Sequence, residues 1–221
     1  MVTVKTEEAA KRLGVSVRQT QRLVHDRKLD TDGTDRIEHA SVLHLLAARQ
    51  GTHHRAWSQA TAWGAVATLS AIRADWMGQT QRSRLKAELK TMTSKDLVAR
   101  TRNRATIHRL RGHSSVVARI ANQVISAGST QATLGLTSAT DRVDGYANAA
   151  DATRLIGSYL LEDHAEGQII LRVTTFDLEI VRLLATKDHV LAALDLAGSL
   201  DARERDAGLL ALDSALARLR G

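Results

Sequence analysis

The chain contains no proline among its 221 residues, whereas average usage of about 5% would supply roughly eleven. Helices can therefore run long, because the residue that most strongly interrupts them is missing. Turns must be made by Gly, Asp, Asn and Ser, as in the segment DTDGTD at 30–35. This composition favours a fold dominated by helices.

Cysteine is absent as well, which excludes disulfides, thiolate zinc sites and cysteine nucleophiles. No window approaches the roughly 18 uninterrupted apolar residues of a membrane span. The first residues, MVTVKTEEAAKRLG, lack the basic head and apolar run of a signal peptide. We therefore expect a soluble, cytoplasmic protein with no membrane partner.

Positive charge is distributed unevenly along the chain, whose net charge is +7. Residues 1–56 carry 10 Lys and Arg against 7 Asp and Glu, 57–125 carry 12 against 3, and 126–221 carry 9 against 14. Such asymmetry favours a basic surface that meets a polyanion and a C-terminal part with a different task. The alternative is that these charges only solvate helix surfaces.

Two short helices are predicted near the N-terminus. Thr6 is a good N-cap for TEEAAKRL, whose acidic first turn suits the positive end of a helix, and Gly14 ends that helix. Ser16 can cap a second helix that runs to about Lys28. Two helices joined by the turn LGVS form a helix-turn-helix candidate. The inward positions of the second helix are predicted to be Thr20, Leu23 and Val24.

A small wing and a supporting helix are predicted next. After the polar turn comes a possible short strand, RIEH at 36–39, which would pair with an opening strand VTV at 2–4. The helix that follows carries Val42, Leu45 and Leu46 on one side. We expect 1–56 to form one domain.

The central segment, 57–113, is interpreted as a basic helical connector. Apolar residues recur every three or four positions from Trp57 to Leu89, which predicts an amphipathic helix with a possible break at Gly78. A second helical run, SKDLVARTRNRATIHRLRG at 94–112, has Ser94 as its cap and interleaves arginines with apolar residues.

The last segment, 114–221, is predicted to form a small α+β unit that ends in helices, so that the whole chain is mainly α with small β elements. Residues 114–135 fit a buried helix or strands equally well. Strands are predicted at RVDGYA and GQIILRVTT, with the helix NAADATRLIGSYLL between them, and three helices follow. In the last helix, leucines form a seam that packs on this chain or on a second copy in a homodimer: Leu209, Leu212, Leu216 and Leu219.

Patterns of catalytic and metal-binding residues are missing. Histidine pairs are adjacent or five residues apart, never at the four-residue spacing of a helical zinc pair. We interpret Glu179, Asp188 and Asp195 as ordinary helix-surface acids. P-loop, Rossmann and G-x-S-x-G patterns do not occur. We therefore expect no catalytic residue, no metal and no cofactor, and no enzymatic activity.

The N-terminal helices carry a more specific pattern, G-V-S-x-R-x-x-x-R-L-[IV]-x-x-x-x-L. It is matched with its spacing by Gly14, Val15, Ser16, Arg18, Arg22, Leu23, Val24 and Leu29. This stretch resembles the excisionase-like branch of the MerR superfamily. The resemblance implies a winged helix-turn-helix whose second helix enters the major groove of DNA. Two departures concern the wing: Arg27 replaces the glycine usual before Lys-Leu, and the common aromatic residue is missing.

The resemblance also implies which side chains meet double-stranded DNA. Arginine can pair with guanine and glutamine with adenine, while residues of the wing contact the DNA backbone. The expected DNA-binding residues are Ser16, Val17, Arg18, Gln19, Gln21, Arg22, His25, Arg27, Lys28 and Arg36. The central arginines could add contacts with nucleic acid or with a protein partner: Arg100, Arg102, Arg104, Arg109 and Arg111.

The rest of the chain is similar to the C-terminal part of AbiEi-like antitoxins, regulators encoded beside nucleotidyltransferase toxins. The matching landmarks are Val143, Asp144, Tyr146, Gly167, Ile170, Leu171, Arg172, Val173, Asp195, Asp201, Arg203 and Glu204. The resemblance implies a repressor of its own operon whose C-terminal domain neutralises a nucleotidyltransferase-type toxin.

Three alternatives remain open at this point. The chain could be a MerR- or excisionase-like regulator whose C-terminal domain senses a ligand or partner, although its six aromatic residues supply few for an aromatic-lined pocket. The winged helix could bind protein only. A nucleic-acid-modifying enzyme, suggested by the small α+β unit alone, lacks a recognisable acid, base or metal constellation.

Overall fold

A computed structural model describes residues 3–26, 28–31, 36–49, 55–127 and 142–221. The fold is mixed α/β, mainly helical, with two small sheets. In the described part of the chain, every helix is too short or too polar to cross a membrane.

The N-terminal unit contains two strands and three helices. Its elements are β1 (Thr3–Lys5), α1 (Thr6–Leu13), α2 (Val17–His25), β2 (Arg36–Glu38) and α3 (His39–Arg49). Strands β1 and β2 pair antiparallel with Val4 opposite Ile37, which confirms the predicted strand pairing. A compact apolar core joins all five elements through residues that include Val4, Ala9, Leu13, Leu23, Ile37 and Val42.

Helix boundaries in this unit differ slightly from the prediction. Helix α1 already includes Thr6, so its N-cap is Lys5, which makes no side-chain capping bond. Gly14 ends α1 as expected, in the left-handed conformation with φ 65° that glycine adopts without strain. Helix α2 ends at His25 and not near Lys28.

The helix predicted from Trp57 to Leu89 is divided in the structure, and its second part begins directly after Gly78, the predicted point of a possible break. Helix α4 spans Gln59–Leu69 and α5 spans Gln79–Thr91. The chain leaves the helix at Ser70, and Ala71 then adopts a positive φ of 56°. Apolar spacing continues through this connection because Ile72 and Trp76 pack against the same core, so periodicity alone could not reveal the break.

The second helical run predicted in the centre is wrong beyond its first two turns. Helix α6 spans Ser94–Thr101, a 3-10 turn covers Arg102–Arg104, and strand β3 follows at Thr106–Arg111. Residues at alternate positions of TIHRLR suit a strand with Leu110 buried, and pairing with a neighbouring strand decides the conformation.

The larger sheet combines β3 with three further strands, β4 (Val143–Ala147), β5 (Glu162–Asp163) and β6 (Ile169–Val173). The order of its four strands is β4-β6-β3-β5. Strands β4 and β6 are parallel and are connected through helix α8 (Ala149–Ser158), while β3 is antiparallel to both neighbours. The predicted strands and the helix between them are therefore confirmed. Within 114–135, a 3-10 turn (Ser114–Val116) precedes helix α7 (Val117–Ala121), and 128–135 lie outside the described residues.

The two faces of this sheet differ in chemistry. Alternate residues, including Leu110, Val143, Ile169 and Leu171, form an apolar core with residues of α7 and α8. The residues between them belong to the opposite face, because successive side chains of a strand point to opposite sides. That second face carries Arg109, Asp144, Tyr146 and Arg172.

The largest core joins the central helices to the C-terminal ones. Helices α9 (Leu178–Lys187), α10 (Val190–Leu196) and α11 (Ala202–Arg220) supply one half of this core, and α4, α5 and α6 supply the other. The packing thus unites the predicted connector, 57–113, with the predicted C-terminal unit, 114–221. The Asp201 side chain caps α11 by accepting a hydrogen bond from the Glu204 backbone N–H.

The predicted leucine seam of α11 lies within this intramolecular core. Leu212 and Leu216 are fully buried, and Leu209 and Leu219 pack against the same cluster. A homodimer stays a prediction and would need a different surface.

Candidate functional site

An N-cap at Ser16 and a few buried residues orient α2, so that its other side faces solvent. The Ser16 hydroxyl accepts a hydrogen bond from the Gln19 backbone N–H at 3.2 Å, as predicted for an N-cap. On the inner side Thr20 and Leu23 are buried, and Val24 packs partly against the same core. This arrangement fixes the rotation of the helix about its axis.

The outer side of α2 carries most of the predicted DNA-binding residues. Ser16, Arg18, Gln19, Arg22 and Lys28 line one shallow surface depression together with Leu23 and Asp26. Gln21 and His25 are exposed beside it, and Val17 is 39% exposed. The structure therefore brings these predicted residues together on one surface.

The charges on this surface are mostly free to meet a partner. Arg22 lies 3.8 Å from Asp26, one turn away, and both side chains are exposed, so this ion pair is weak. Arg18 has no carboxylate within ion-pairing distance among the described residues. The surface thus presents an unpaired guanidinium beside the amide of Gln19.

The remaining N-terminal positions are less uniform. Arg36 is exposed on β2, where its Nε donates to the Thr3 hydroxyl at 2.8 Å and its Nη2 donates to the Thr3 carbonyl at 3.4 Å. This contact holds the arginine against the neighbouring strand. Arg27 lies outside the described residues.

The central arginines do not form one basic face. Arg100 is half-buried, with its Nη1 2.6 Å from the Glu88 carboxylate and its guanidinium carbon 5.4 Å from the Trp57 ring centre. Arg102 donates to the Ala99 carbonyl of the preceding helix, α6. These two side chains are engaged within the fold.

The other three predicted arginines have three different environments. Arg104 is only 6% exposed and is ion-paired, which corrects its assignment as a surface contact. Arg109 is half-buried on β3, and Arg111, at the end of the strand, is exposed. Exposed positive charge of the central segment is found instead on α5 and just after it: Arg84, Lys86, Lys90 and Lys95.

A buried polar cluster joins the second face of the sheet to α10. The Asp195 carboxylate accepts hydrogen bonds from Arg104 Nη2 at 2.5 Å and from the Tyr146 hydroxyl at 2.7 Å, and it lies 3.3 Å from Arg172 Nη1. Arg172 in turn donates two hydrogen bonds, at 2.6 and 2.7 Å, to Asp144. Two arginines and two aspartates thus neutralise each other.

The protonation of this cluster follows from its burial. Burial raises the pKa of Tyr146, so its hydroxyl stays protonated and donates to Asp195 while accepting from Arg104 Nε at 3.0 Å.

The interpretation of Asp195 as a surface acid was wrong, because its side chain is buried in this cluster. An available signal was its position as the single charged residue in the apolar run VLAALDLA.

Among the described residues, no group of three or more histidine, aspartate or glutamate side chains could hold a metal ion. Comparison with known protein families, curated proteins and solved structures finds no match for this chain.

Proposed function

We propose that the N-terminal unit is a winged helix-turn-helix that binds double-stranded DNA through α2. The observation that carries this proposal is the outer surface of α2, where Arg18, Gln19 and Arg22 are exposed near the helix N-terminus. Buried Thr20 and Leu23 fix the rotation of the helix about its axis. A helix that presents such residues near its N-terminus suits the major groove, where arginine pairs with guanine and glutamine with adenine.

The same proposal gives the flanking residues a phosphate-binding role. Lys28 lies on the same surface as Arg18 and Arg22, and Arg36 is exposed on the second strand of the wing. Phosphate contacts position a protein on the duplex without reading its sequence. Affinity should therefore fall steeply as salt increases.

The test is fluorescence anisotropy with DNA from upstream of the gene for this chain, at several salt concentrations. In the double variant Arg18→Ala, Arg22→Ala we expect a large loss of affinity, and a salt slope smaller by about two if both residues contact phosphates. The matched control is Arg182→Ala, Arg218→Ala, which removes two exposed charges from α9 and α11. Equal affinity for wild type and the α2 variant would refute the proposal.

We further propose that the chain is an antitoxin that represses its own operon and neutralises a nucleotidyltransferase-type toxin. The supporting observation is that four landmarks of the AbiEi-like resemblance, Asp144, Tyr146, Arg172 and Asp195, meet in one cluster although they come from three separate segments of the chain. Two proteins that share a fold are expected to keep residues that contact each other within it. The contacts among these landmarks therefore support the resemblance.

This second proposal is tested by expressing the chain together with the reading frame beside its gene. We expect the neighbour to be a nucleotidyltransferase that arrests growth alone and is neutralised by the full-length chain. The α2 variant Arg18→Ala, Arg22→Ala should still neutralise it while losing repression. A neighbour that is not toxic, or toxicity unchanged by the chain, would refute the antitoxin role and leave the DNA-binding proposal standing.

A further inference from the structure

A cavity of about 450 Å³ lies at the junction between the N-terminal unit and the larger sheet. Its walls come from α3, from the polar face of the sheet, from the turn between β5 and β6, and from the connection between α10 and α11. The residues that matter for its chemistry are His44, Arg109, Arg142, Arg172 and Glu166. This volume falls within the range of small-molecule sites.

The junction that closes the cavity is held by a buried carboxylate. Glu38, at the end of β2, is 3% exposed and accepts a hydrogen bond from the Ala165 backbone N–H at 2.9 Å. This contact fixes the start of α3 against the turn between β5 and β6. His44, one turn further along α3, thereby becomes part of the cavity wall.

Carboxylates in the wall are mostly occupied by partners within the protein. Asp144 receives both hydrogen bonds of Arg172, and Asp195 receives those of Arg104 and Tyr146. At the α10–α11 connection, Asp201 accepts from the Glu204 backbone N–H and Glu204 accepts from the Ser199 hydroxyl. In the described wall, the exposed Glu166 is the one carboxylate without such a partner. It offers a single negative charge, whereas Arg109 and Arg142 offer two positive ones.

Two buried polar atoms of the wall, Arg109 Nε and His44 Nδ1, have no hydrogen-bond partner among the residues that the structure describes. Leaving such atoms unsatisfied is unfavourable, most of all for a charged group. Burial and the nearby Arg172 lower the pKa of Arg109 to about 10 although the charges of Asp30 and Asp144 act against this, so the guanidinium is still charged at neutral pH. A buried cation with an unused N–H donor is a group that an anion would satisfy.

His44 supplies a complementary feature. Burial, together with the nearby charges of Arg109, Arg142 and Arg172, lowers its pKa to about 3, so the ring is neutral. The backbone of Ala165 acts in the opposite direction. A neutral imidazole has one donor and one acceptor nitrogen, so Nδ1 accepts a hydrogen bond when Nε2 carries the proton.

We propose that this cavity binds a small molecule that carries a phosphate or carboxylate group together with a hydroxyl or amino group. Arg109 and Arg142 bind the anionic group, and His44 Nδ1 accepts a hydrogen bond from the hydroxyl or amino group. Because His44 belongs to the N-terminal unit and Arg109 to the sheet, the bound molecule bridges the two. None of the residues that line the described cavity belongs to α2.

The test is isothermal titration calorimetry of the full-length chain at constant ionic strength. The probes are ribose 5-phosphate, AMP and citrate, with ribose as the uncharged control. We expect saturable binding of at least one anionic probe and none of ribose. Binding of the two phosphates alone assigns a phosphate ligand, and binding of citrate alone assigns a carboxylate ligand.

Variants of the wall distinguish the cavity from the rest of the basic surface. Arg109→Gln should weaken binding at least about tenfold, or about 1.4 kcal/mol, and Arg142→Glu, at an exposed position, should also weaken it. Arg111→Gln, an exposed arginine of the same strand, is the matched control and should keep wild-type affinity. If Arg109→Gln does not fold, Arg142→Glu decides the outcome.

Three results would overturn the proposal. The first is that no probe binds saturably up to about 10 mM, which corresponds to less than about 3 kcal/mol of binding free energy. The second is an unchanged affinity in both wall variants. The third is a loss of affinity in Arg111→Gln equal to that in the wall variants. Since the assay contains no DNA, none of these results bears on the function proposed for α2.

Discussion

Replacing Asp195 by alanine should be among the most destabilising single changes in this protein. Its carboxylate, 4% exposed, is the acceptor for Arg104 Nη2 and for the Tyr146 hydroxyl. Arg172 would keep its two bonds to Asp144, whereas Arg104 would keep only a 3.5 Å bond to the Thr101 carbonyl and its bond to Tyr146. A buried cation would thus lose its counter-ion.

Breaking a buried ion pair by removing one partner costs about 3–5 kcal/mol. That is a large part of the roughly 5–15 kcal/mol that stabilises a typical domain. For a chain of this length the melting temperature should fall by roughly 6–20 °C. Asp195→Asn should cost less, because the amide oxygen can still accept from Arg104 or Tyr146.

The measurement is urea unfolding at pH 7, followed by circular dichroism and tryptophan fluorescence. Asp213→Ala, an exposed aspartate on α11, is the control and should change the free energy of unfolding by less than about 0.5 kcal/mol. Adding Arg104→Met to Asp195→Ala should restore part of the stability, because the uncompensated charge is removed as well. An Asp195→Ala variant within about 1 kcal/mol of wild type would refute this account of the cluster.

Two further predictions concern packing and pH. Gly208→Ala should destabilise the protein by about 1–3 kcal/mol, because the added Cβ would lie 2.6 Å from backbone atoms of the α10 segment. Gly157→Ala, which has open space around the added Cβ, should stabilise it by about 0.5–1 kcal/mol. Thermal melts of the two variants check this pair, and equal changes in melting temperature would contradict it. His44 stays neutral in the folded state to about pH 3 but binds a proton near pH 6.5 when unfolded, so it costs stability as the pH falls below 6.5. His44→Gln should therefore gain about 1–2 kcal/mol relative to wild type between pH 7 and pH 5, measured by urea unfolding at both values; a difference independent of pH would contradict it.

The N-terminal unit was predictable because its signals are local. A serine cap, a glycine with positive φ and apolar residues at helical spacing each act within a few residues, and Ser16, Gly14 and Leu23 occupy the expected places. The same holds for β4, α8 and β6, where strand and helix patterns are separated by a capping residue, Asn148.

The central segment could not be predicted from local signals because distant contacts decide its structure. RNRATIHRLR has arginines and leucine at spacings that suit a helix, yet Thr106 to Leu110 pair with β6, more than fifty residues away. Strand preference depends mainly on neighbours across the sheet, which a linear pattern does not contain. The pairing of Asp195 with Arg104 was hidden for the same reason, since the two residues are 91 positions apart, although the apolar run around Asp195 indicated its burial.

The uneven charge along the chain was the first indication of a polyanion partner, and the fold changes where that partner should be sought. Arg104 of the basic segment pairs with Asp195 of the acidic one, and Arg100 pairs with Glu88. Charge counted along a sequence includes such pairs, whereas a binding partner meets only exposed charge. Of the five central arginines predicted as contacts, Arg111 alone is exposed. A search for polyanion contacts in this segment should therefore begin at α5, whose exposed arginine and lysines are accessible to a partner, unlike the buried or half-buried arginines predicted as contacts.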